Sequence, residues 1–151
     1  MKWIFAFMLA LIAGGAAAQE VSDCDWRASA RNIGEPWEQN TRTFSNGKTR
    51  LALLDTPEPA AGAFHILILS PPYDELGVRQ CKVVSASAGI GFYGLDFTGL
   101  QAQYDPAIGL GFAIPGQSYV PETDGSAAMY LLITLNQATG QITARVQPTG
   151  G

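Results

Sequence analysis

The sequence predicts an all-β protein, an antiparallel sandwich or barrel of seven to eight short strands with a short N-terminal helix tied on by a disulfide. From Thr41 onward, short apolar or alternating segments follow one another with Gly, Pro, Asn and Asp between them. Regular spacing with local turns is typical of antiparallel sheets and not of alternating β-α units. Two cysteines, Cys24 and Cys81, supply the expected link.

The first 18 residues are expected to be a cleaved signal peptide. Lys2 precedes an apolar run from Trp3 to Ala13, and small residues follow up to Ala18, after which cleavage is expected. The run is too short for a bilayer, which takes about 20 apolar residues, and no later segment is long enough. Cys24 does not fit lipidation, because Asp23 stands where that processing needs a small neutral residue. We expect an exported protein, in the periplasm, with the extracellular space as the alternative.

Residues 19–151 suggest one domain, with an N-terminal helix or coil segment at 19–39 and an antiparallel β domain at 40–151. The whole chain has 9 Lys and Arg and 13 Asp and Glu, of which the leader would remove one lysine. The mature net charge is then about −5, and the basic residues are scattered. Nucleic acid is not expected as a partner, because affinity for phosphates comes from clustered Lys and Arg.

The two cysteines are expected to form a structural disulfide. Cys24 and Cys81 both lie in the exported part, and no third cysteine exists to compete. A redox-active pair would instead need a Cys-x-x-Cys arrangement or a polarised thiolate.

The N-terminal segment is expected to hold the helix. Ser22 or Asp23 is a suitable cap for a helix over Cys24–Ile33. Trp26 and Trp37 are expected to anchor this segment by packing against the sheet.

The first strands carry clear turn signals. Thr41–Ser45 and Lys48–Leu54 flank Asn46-Gly47, the pair typical of a two-residue type I′ hairpin turn. Phe64–Ser70 is almost continuously apolar, which predicts a central strand covered on both faces. Pro71-Pro72 is expected to end it.

The second half continues the β pattern. In Leu100–Asp105 apolar and polar residues alternate, which predicts a half-buried strand with Ala102 and Tyr104 on the inner face. A turn at Asp105–Gly109 completes a second hairpin. The remaining expected strands are Arg79–Ser85, Leu110–Ile114, a short edge strand Gln117–Val120, Ala127–Asn136 and Gln141–Val146, followed by a frayed end at Gln147–Gly151.

Two motifs with chemical potential are interpreted as structural. Gly89–Gly94 spells G-x-G-x-x-G, but a poor helix former follows it. A glycine-rich bend with Phe92, Leu95 and Phe97 in the core is therefore expected in place of a dinucleotide site. His65 is the one histidine and lies in the most apolar strand, facing the same way as Leu67. We expect it to be a core residue.

One exposed segment is a candidate binding loop. Pro71 and Pro72 stiffen it, Tyr73 offers an aromatic face, and Asp74 and Glu75 add charge. Such a mixture suits recognition, since a stiff loop loses little entropy on binding. The alternative is an ordinary solvated turn between two strands.

No catalytic residue, metal site or cofactor is predicted. The chain has one His and a paired set of cysteines, too few ligands for zinc, and no nucleophile elbow. The leading hypothesis is a non-enzymatic exported module that binds an unknown protein or an envelope component. One alternative is a small hydrolase of glycans or peptides that uses carboxylates, with candidates at Asp74, Glu75, Asp96 and Asp105. The other is an inhibitor of a foreign hydrolase, with Pro71–Gly77 as its plug.

Overall fold

Two five-stranded antiparallel sheets make up a β-sandwich in the computed structural model, which describes residues 18–150. The expected all-β class is confirmed, with ten strands where seven or eight were predicted. Residues 1–17 of the expected leader lie outside the described residues, and cleavage after Ala18 stays a prediction. The first sheet has the order β1-β5-β4-β3-β2, with β1 at Glu20–Asp23, β2 at Thr41–Phe44, β3 at Thr49–Asp55, β4 at Phe64–Tyr73 and β5 at Arg79–Ser85.

The second sheet has the order β10-β9-β8, and β6 and β7 both pair with β8. Its strands are β6 at Gly94–Leu95, β7 at Gln101–Asp105, β8 at Gly109–Val120, β9 at Gly125–Leu135 and β10 at Ile142–Pro148. One α-helical turn, α1, covers Trp37–Asn40, and 3₁₀ turns lie at Trp26–Ala28, Ala30–Asn32, Ala60–Gly62 and Phe97–Gly99. In this part of the chain no helix is long and apolar enough to cross a membrane.

The main core lies between the two sheets. Strand alternation sends one set of side chains from each sheet into this layer. Phe92, Phe97 and Leu100 from the connection between the sheets complete it. The sheet residues in this core are Leu51, Leu53, Ile66, Ile68 and Val84 of the first sheet and Leu110, Phe112, Ile114, Met129, Leu131, Ile133, Leu135 and Ala144 of the second.

A second, smaller core covers the outer face of the first sheet. Ala52, Leu54, Leu67 and Val83 are buried there beneath the N-terminal segment, whose contributions include Cys24, Ala28 and Ile33. This arrangement confirms that β4 is covered on both faces. The Cys24–Cys81 disulfide, with its Cα atoms 5.4 Å apart, joins the segment to β5 and is confirmed.

The predicted helix over Cys24–Ile33 is wrong. Two 3₁₀ turns replace it, because Ser29 between them has extended backbone angles of −62° and 140°. Asp25, not Ser22 or Asp23, caps the first turn.

The segment that precedes these turns forms β1, which pairs with β5 and was not predicted. The tryptophans are not packing anchors either: Trp26 and Trp37 are 61% and 53% exposed. In the first 3₁₀ turn the buried side chain is Arg27 instead.

Three strand details differ from the sequence expectation. The first hairpin has a four-residue loop, Ser45–Lys48, not a two-residue turn, because Phe44 pairs with Thr49. β4 continues through the prolines to Tyr73, with a register shift between Ser70 and Tyr73 that absorbs the missing proline N–H groups.

β7 is exposed along its whole length, not half-buried, because it lies at the sheet edge with no layer over it. Only Leu100, just before the strand, enters the core. The C-terminal end does not fray at Gln147–Thr149. β10 runs to Pro148, and the backbone N–H of Thr149 donates to the carbonyl of Ala128 at 3.1 Å.

Removing the disulfide is expected to lower the free energy of unfolding by about 4 kcal/mol. The bridge spans 57 positions. Without it the unfolded chain is no longer closed into a loop, so the conformational entropy of the unfolded state rises. Urea unfolding of the Cys24→Ser, Cys81→Ser double variant checks this against oxidised wild type, with reduced wild type as the matched control. A difference below about 1 kcal/mol would contradict it.

Candidate functional site

Four hairpin connections meet at one end of the sandwich, which we call the loop end. They are the β2–β3 loop at 45–48, the β4–β5 turn at 74–78, the β7–β8 turn at 106–108 and the β9–β10 loop at 136–141. Alternate hairpins of an antiparallel sheet reverse at the same end, which places two of these loops together in each sheet. Hydrogen bonds from Ser45 to Gln137 and from Gln80 to Gly140 show that the two ends meet.

Side-chain hydrogen bonds join these connections to one another. Gln137 accepts from the Ser45 hydroxyl at 3.1 Å and donates to Thr49 Oγ1 at 2.9 Å, which links the β9–β10 and β2–β3 connections. Gln80 Nε2 donates to the Pro71 and Gly140 carbonyls at 3.1 and 2.9 Å. Loops that are cross-linked in this way lose little conformational entropy when a partner binds.

The β4–β5 turn is organised by a single carboxylate. Asp74 Oδ1 accepts from the backbone N–H groups of Leu76 and Val78, both at 2.9 Å. The Asp74 backbone N–H donates to the Val78 carbonyl at 2.9 Å, and Gly77 supplies the left-handed φ of 78° that the reversal needs. The candidate loop of the sequence analysis is therefore an ordered hairpin tip.

This tip presents apolar side chains to solvent. Leu76 is 88% exposed, and Tyr73 and Val78 are also exposed. The β7–β8 hairpin adds two more exposed apolar side chains, Tyr104 on β7 and Ile108 in the turn. Apolar side chains clustered on ordered loops are typical of interaction surfaces.

Two shallow grooves lie on either side of the Ser45–Gln137 hydrogen bond. One, of about 450 Å³, is bounded by Tyr73 and Pro71. The other, of about 530 Å³, lies between Phe44 of β2 and Tyr104 of β7, the facing edge strands of the two sheets. A tyrosine therefore flanks each groove, with a polar bridge in the middle.

The predicted loop residues occupy distinct places in this site. Pro71, Pro72 and Tyr73 are the last three residues of β4, and Pro72 packs against Gly140 of the β9–β10 loop. Asp74 holds the turn, and Glu75 is exposed at its tip. Sequence reasoning included Leu76 in the Pro71–Gly77 segment without singling it out, and it left Val78 outside. Apolar residues around a turn glycine are the signal that could have found both.

Three of the four carboxylates proposed for a hydrolase, Asp74, Asp96 and Asp105, accept backbone hydrogen bonds within turns, and Glu75 is exposed. Asp96 accepts from the Thr98 and Gly99 backbone N–H groups and caps a 3₁₀ turn, and the hydroxyl of Thr98 lowers the pKa of Asp96. Asp105 accepts from the Ala107 N–H at 2.7 Å. No Asp or Glu lines either loop-end groove among residues 18–150.

A buried polar network lies beneath the N-terminal segment. Arg27, 5% exposed, donates to both Asp25 carboxylate oxygens, to Ser22 Oγ at 2.9 Å and to Ser85 Oγ at 2.8 Å. Ser85 Oγ also lies 2.7 Å from His65 Nδ1. Because a guanidinium can only donate, the Ser85 hydroxyl accepts from Arg27 and is free to donate to a neutral His65.

The environment of His65 keeps it uncharged. Burial first, and then the nearby Arg27 charge, lower the pKa of His65 to about 4, while Asp25 and Glu20 oppose this. The ring is 1% exposed and Ser85 is fully buried, so neither can meet a substrate in this state. This serine and histidine lie side by side without forming an accessible nucleophile.

The glycine motif at 89–94 is a bend. Gly91 lies so close to β4 that a Cβ atom there would sit 2.9 Å from His65 Nε2 and even nearer the Phe64 carbonyl oxygen. Phe92 and Phe97 are buried in the main core, and two isolated β-bridges replace the helix that a dinucleotide site requires. The glycines serve close packing.

The fold and this end of it define a disulfide-linked β-sandwich with an ordered, apolar loop surface. Comparisons with protein-family models, with curated proteins and with solved structures find no match to this chain. Between residues 18 and 150, no three His, Cys, Asp or Glu side chains are grouped closely enough to hold a metal ion.

Asp74→Ala is expected to lower the free energy of unfolding by about 1 kcal/mol and to speed hydrogen exchange at the Leu76 and Val78 amides. The variant loses the acceptor of two backbone hydrogen bonds in the turn. Asp74→Asn keeps an acceptor oxygen and is the matched control, expected to stay close to wild type. Equal exchange in the two variants would contradict the assigned role.

Stability is expected to fall as the pH drops from about 6.5 to 4. The unfolded chain takes up a proton at His65 near its ordinary pKa of 6.5, while the folded chain resists protonation until about 4. Because of this difference in pKa, the free energy of unfolding should be roughly 2 to 3 kcal/mol lower at pH 4.5 than at pH 7. Chemical denaturation at pH 7 and pH 4.5 measures it. His65→Gln should remove most of the pH dependence, and an unchanged slope in that variant would refute the assignment.

Proposed function

We propose that this chain is an exported, non-enzymatic binding module that docks a protein partner through its loop end. The observation that carries the proposal is the ordered hairpin tip with Leu76, Val78 and Tyr73 exposed on it. An exposed leucine on a mobile loop would cost entropy to bind, whereas this one is already held in place by Asp74.

The surroundings of the tip support a protein partner. Tyrosine supplies a large apolar face with a polar end at low entropic cost, and Tyr73 and Tyr104 flank the two grooves. The residues that line these grooves are neutral except for Lys48. A surface of this composition matches the apolar centre and polar rim of protein interfaces.

Export is supported by the disulfide. Disulfides of this structural kind persist in oxidising compartments such as the periplasm and the extracellular space. The leader-like first 18 residues point the same way. We propose the periplasm as the location, on the compact form of that leader.

A second candidate function is inhibition of a foreign hydrolase. The observation that favours it is the extreme exposure of Leu76 at a narrow, hydrogen-bonded tip, the shape that enters an active-site cleft. Such an inhibitor is itself a protein-binding module, so both candidates use the same residues. They differ in whether the partner is an enzyme that loses activity on binding.

The test places a photo-crosslinking amino acid at position 76 of the exported protein and identifies the crosslinked partner. Leu76→Asp is then expected to weaken binding of that purified partner at least tenfold, because the interface would have to bury an unpaired charge. Trp26→Asp is the matched control, since Trp26 is also a large exposed apolar residue but lies outside the loop end. Equal effects of the two variants on affinity, at unchanged melting temperature, would overturn the proposal.

A further inference from the structure

The outer face of the second sheet carries a trough of about 520 Å³, which borders one loop-end groove at Ala102 and Gln103. Strand pairing sets two rows of side chains across it. One row contains Gln103, Gly111, Thr134 and Thr143, and the other contains Gln101, Ala113, Leu132 and Arg145. Each row begins on β7, crosses β8 and β9, and ends on β10.

The depth of the trough comes from side-chain size along these rows. Gly111 and Ala113 on β8 leave the middle of the sheet low, while the long side chains of Gln101, Gln103 and Arg145 stand at its two margins. Between residues 18 and 150 no core packs over this face, in contrast to the outer face of the first sheet. Ala18, which the expected cleavage removes, is the one described lining residue from outside the four strands. A cavity of a few hundred cubic ångströms is in the range of small-ligand sites.

The polar groups of the trough have unused bonding capacity within the described chain. The side-chain amides of Gln101 and Gln103 make no hydrogen bond there, and the hydroxyls of Thr134 and Thr143 bond only to each other. Each amide can both donate and accept, the pattern that a sugar hydroxyl matches.

The positive charge of Arg145 in the trough favours a ligand with a negative charge. Among the described lining residues Arg145 is the one that carries a charge, and it forms no ion pair between residues 18 and 150. Its single hydrogen bond is a long one, 3.4 Å to Gln147. With no Asp or Glu along the lining, the guanidinium is free to pair with a carboxylate in a two-point geometry.

We propose that this trough binds a carboxylate-bearing saccharide. Arg145 pairs with the carboxylate, the amides of Gln101 and Gln103 bond to ring hydroxyls, and Leu132 with Ala113 contacts the apolar face of the sugar ring. An extended peptide fits less well, because it needs a free strand edge for its backbone and the trough is a sheet face. The hairpin-tip residues Leu76 and Val78 lie outside the lining of the trough, so this proposal does not depend on the function proposed for the tip.

The probes are short oligomers of galacturonate and of glucuronate, each compared with its methyl ester, and titrated into the isotopically labelled exported protein. Binding near 1 mM or tighter is expected for an acidic oligomer, with NMR shifts centred on the amides of Gly111 and Ala113. The methyl ester should bind at least tenfold more weakly, because it cannot pair with Arg145.

Two variants test the site independently. Arg145→Gln should weaken binding about tenfold, with Arg31→Gln as the matched control because Arg31 is exposed and outside the trough. Gly111→Val should abolish binding without unfolding the protein, since a Cβ at Gly111 meets nothing nearer than 3.5 Å and the larger side chain fills the trough.

Three results would overturn the proposal. The first is that no acidic oligomer binds at 10 mM, and the second is that acid and ester bind equally. The third is that shifts fall outside the trough or survive both Arg145→Gln and Gly111→Val. Leu76→Asp, which tests the loop end, should leave saccharide binding unchanged, so the two proposals fail separately.

Discussion

The burial of β4 on both of its faces is the constraint on which the rest of the structure depends. Ile66 and Ile68 point into the main core, while His65 and Leu67 point the other way, onto a face that the second sheet cannot reach. That outer face needs a cover of its own, since exposing it would leave apolar area in water at roughly 25 cal/mol per Å². The N-terminal segment is that cover.

A short segment of two 3₁₀ turns and one α-helical turn holds this position through two different attachments. The Cys24–Cys81 disulfide fixes one point covalently, and the Cys24 N–H donates to the Cys81 carbonyl at 3.2 Å. The guanidinium of Arg27 fixes a second point of the segment, because it donates hydrogen bonds to Asp25 and Ser85. Since the segment has few apolar side chains of its own, these attachments supply specificity that packing alone would not.

The two sheets are consequently unequal. The first is covered on both faces, so its hairpins begin from a stiff base and project an ordered tip at the loop end. Between residues 18 and 150 no core forms on the outer face of the second sheet, where small residues such as Gly111 and Ala113 leave a hollow between longer side chains. Binding surfaces are therefore expected where the layers stop, at the loop end and on the bare face, and not in the interior.

Sequence periodicity predicted the parts of the fold that follow from local chemistry. The apolar run of β4, the alternation of Met129, Leu131 and Ile133, and the pairing of two cysteines each have one physical interpretation. The N-terminal segment could not be predicted in the same way. Its structure depends on Arg27 reaching Ser85, 58 positions away, and no local pattern reports such a contact.

The residues of the candidate site also differ in whether local sequence signals could predict them. Pro71 to Glu75 could be selected because prolines and an aromatic residue in a turn are local signals, and the turn chemistry of Asp74 is local too. Tyr104 was expected on the inner face because β7 alternates, but alternation shows only that two faces differ and not that a second layer covers one of them. The trough forms only when four strands pair in one particular register, and the sequence pattern of a single strand does not show how it pairs with its neighbours.

The burial of His65 determines whether this side chain can take part in acid–base chemistry. It is the chain's one imidazole, and the covering segment encloses it and places the Arg27 charge nearby, which holds its pKa near 4. A ring in this state is neutral at pH 7 and has no access to solvent, so it can neither bind a substrate nor exchange a proton with one. The interaction that completes the first sheet thus commits the most versatile acid–base group of the chain to structure.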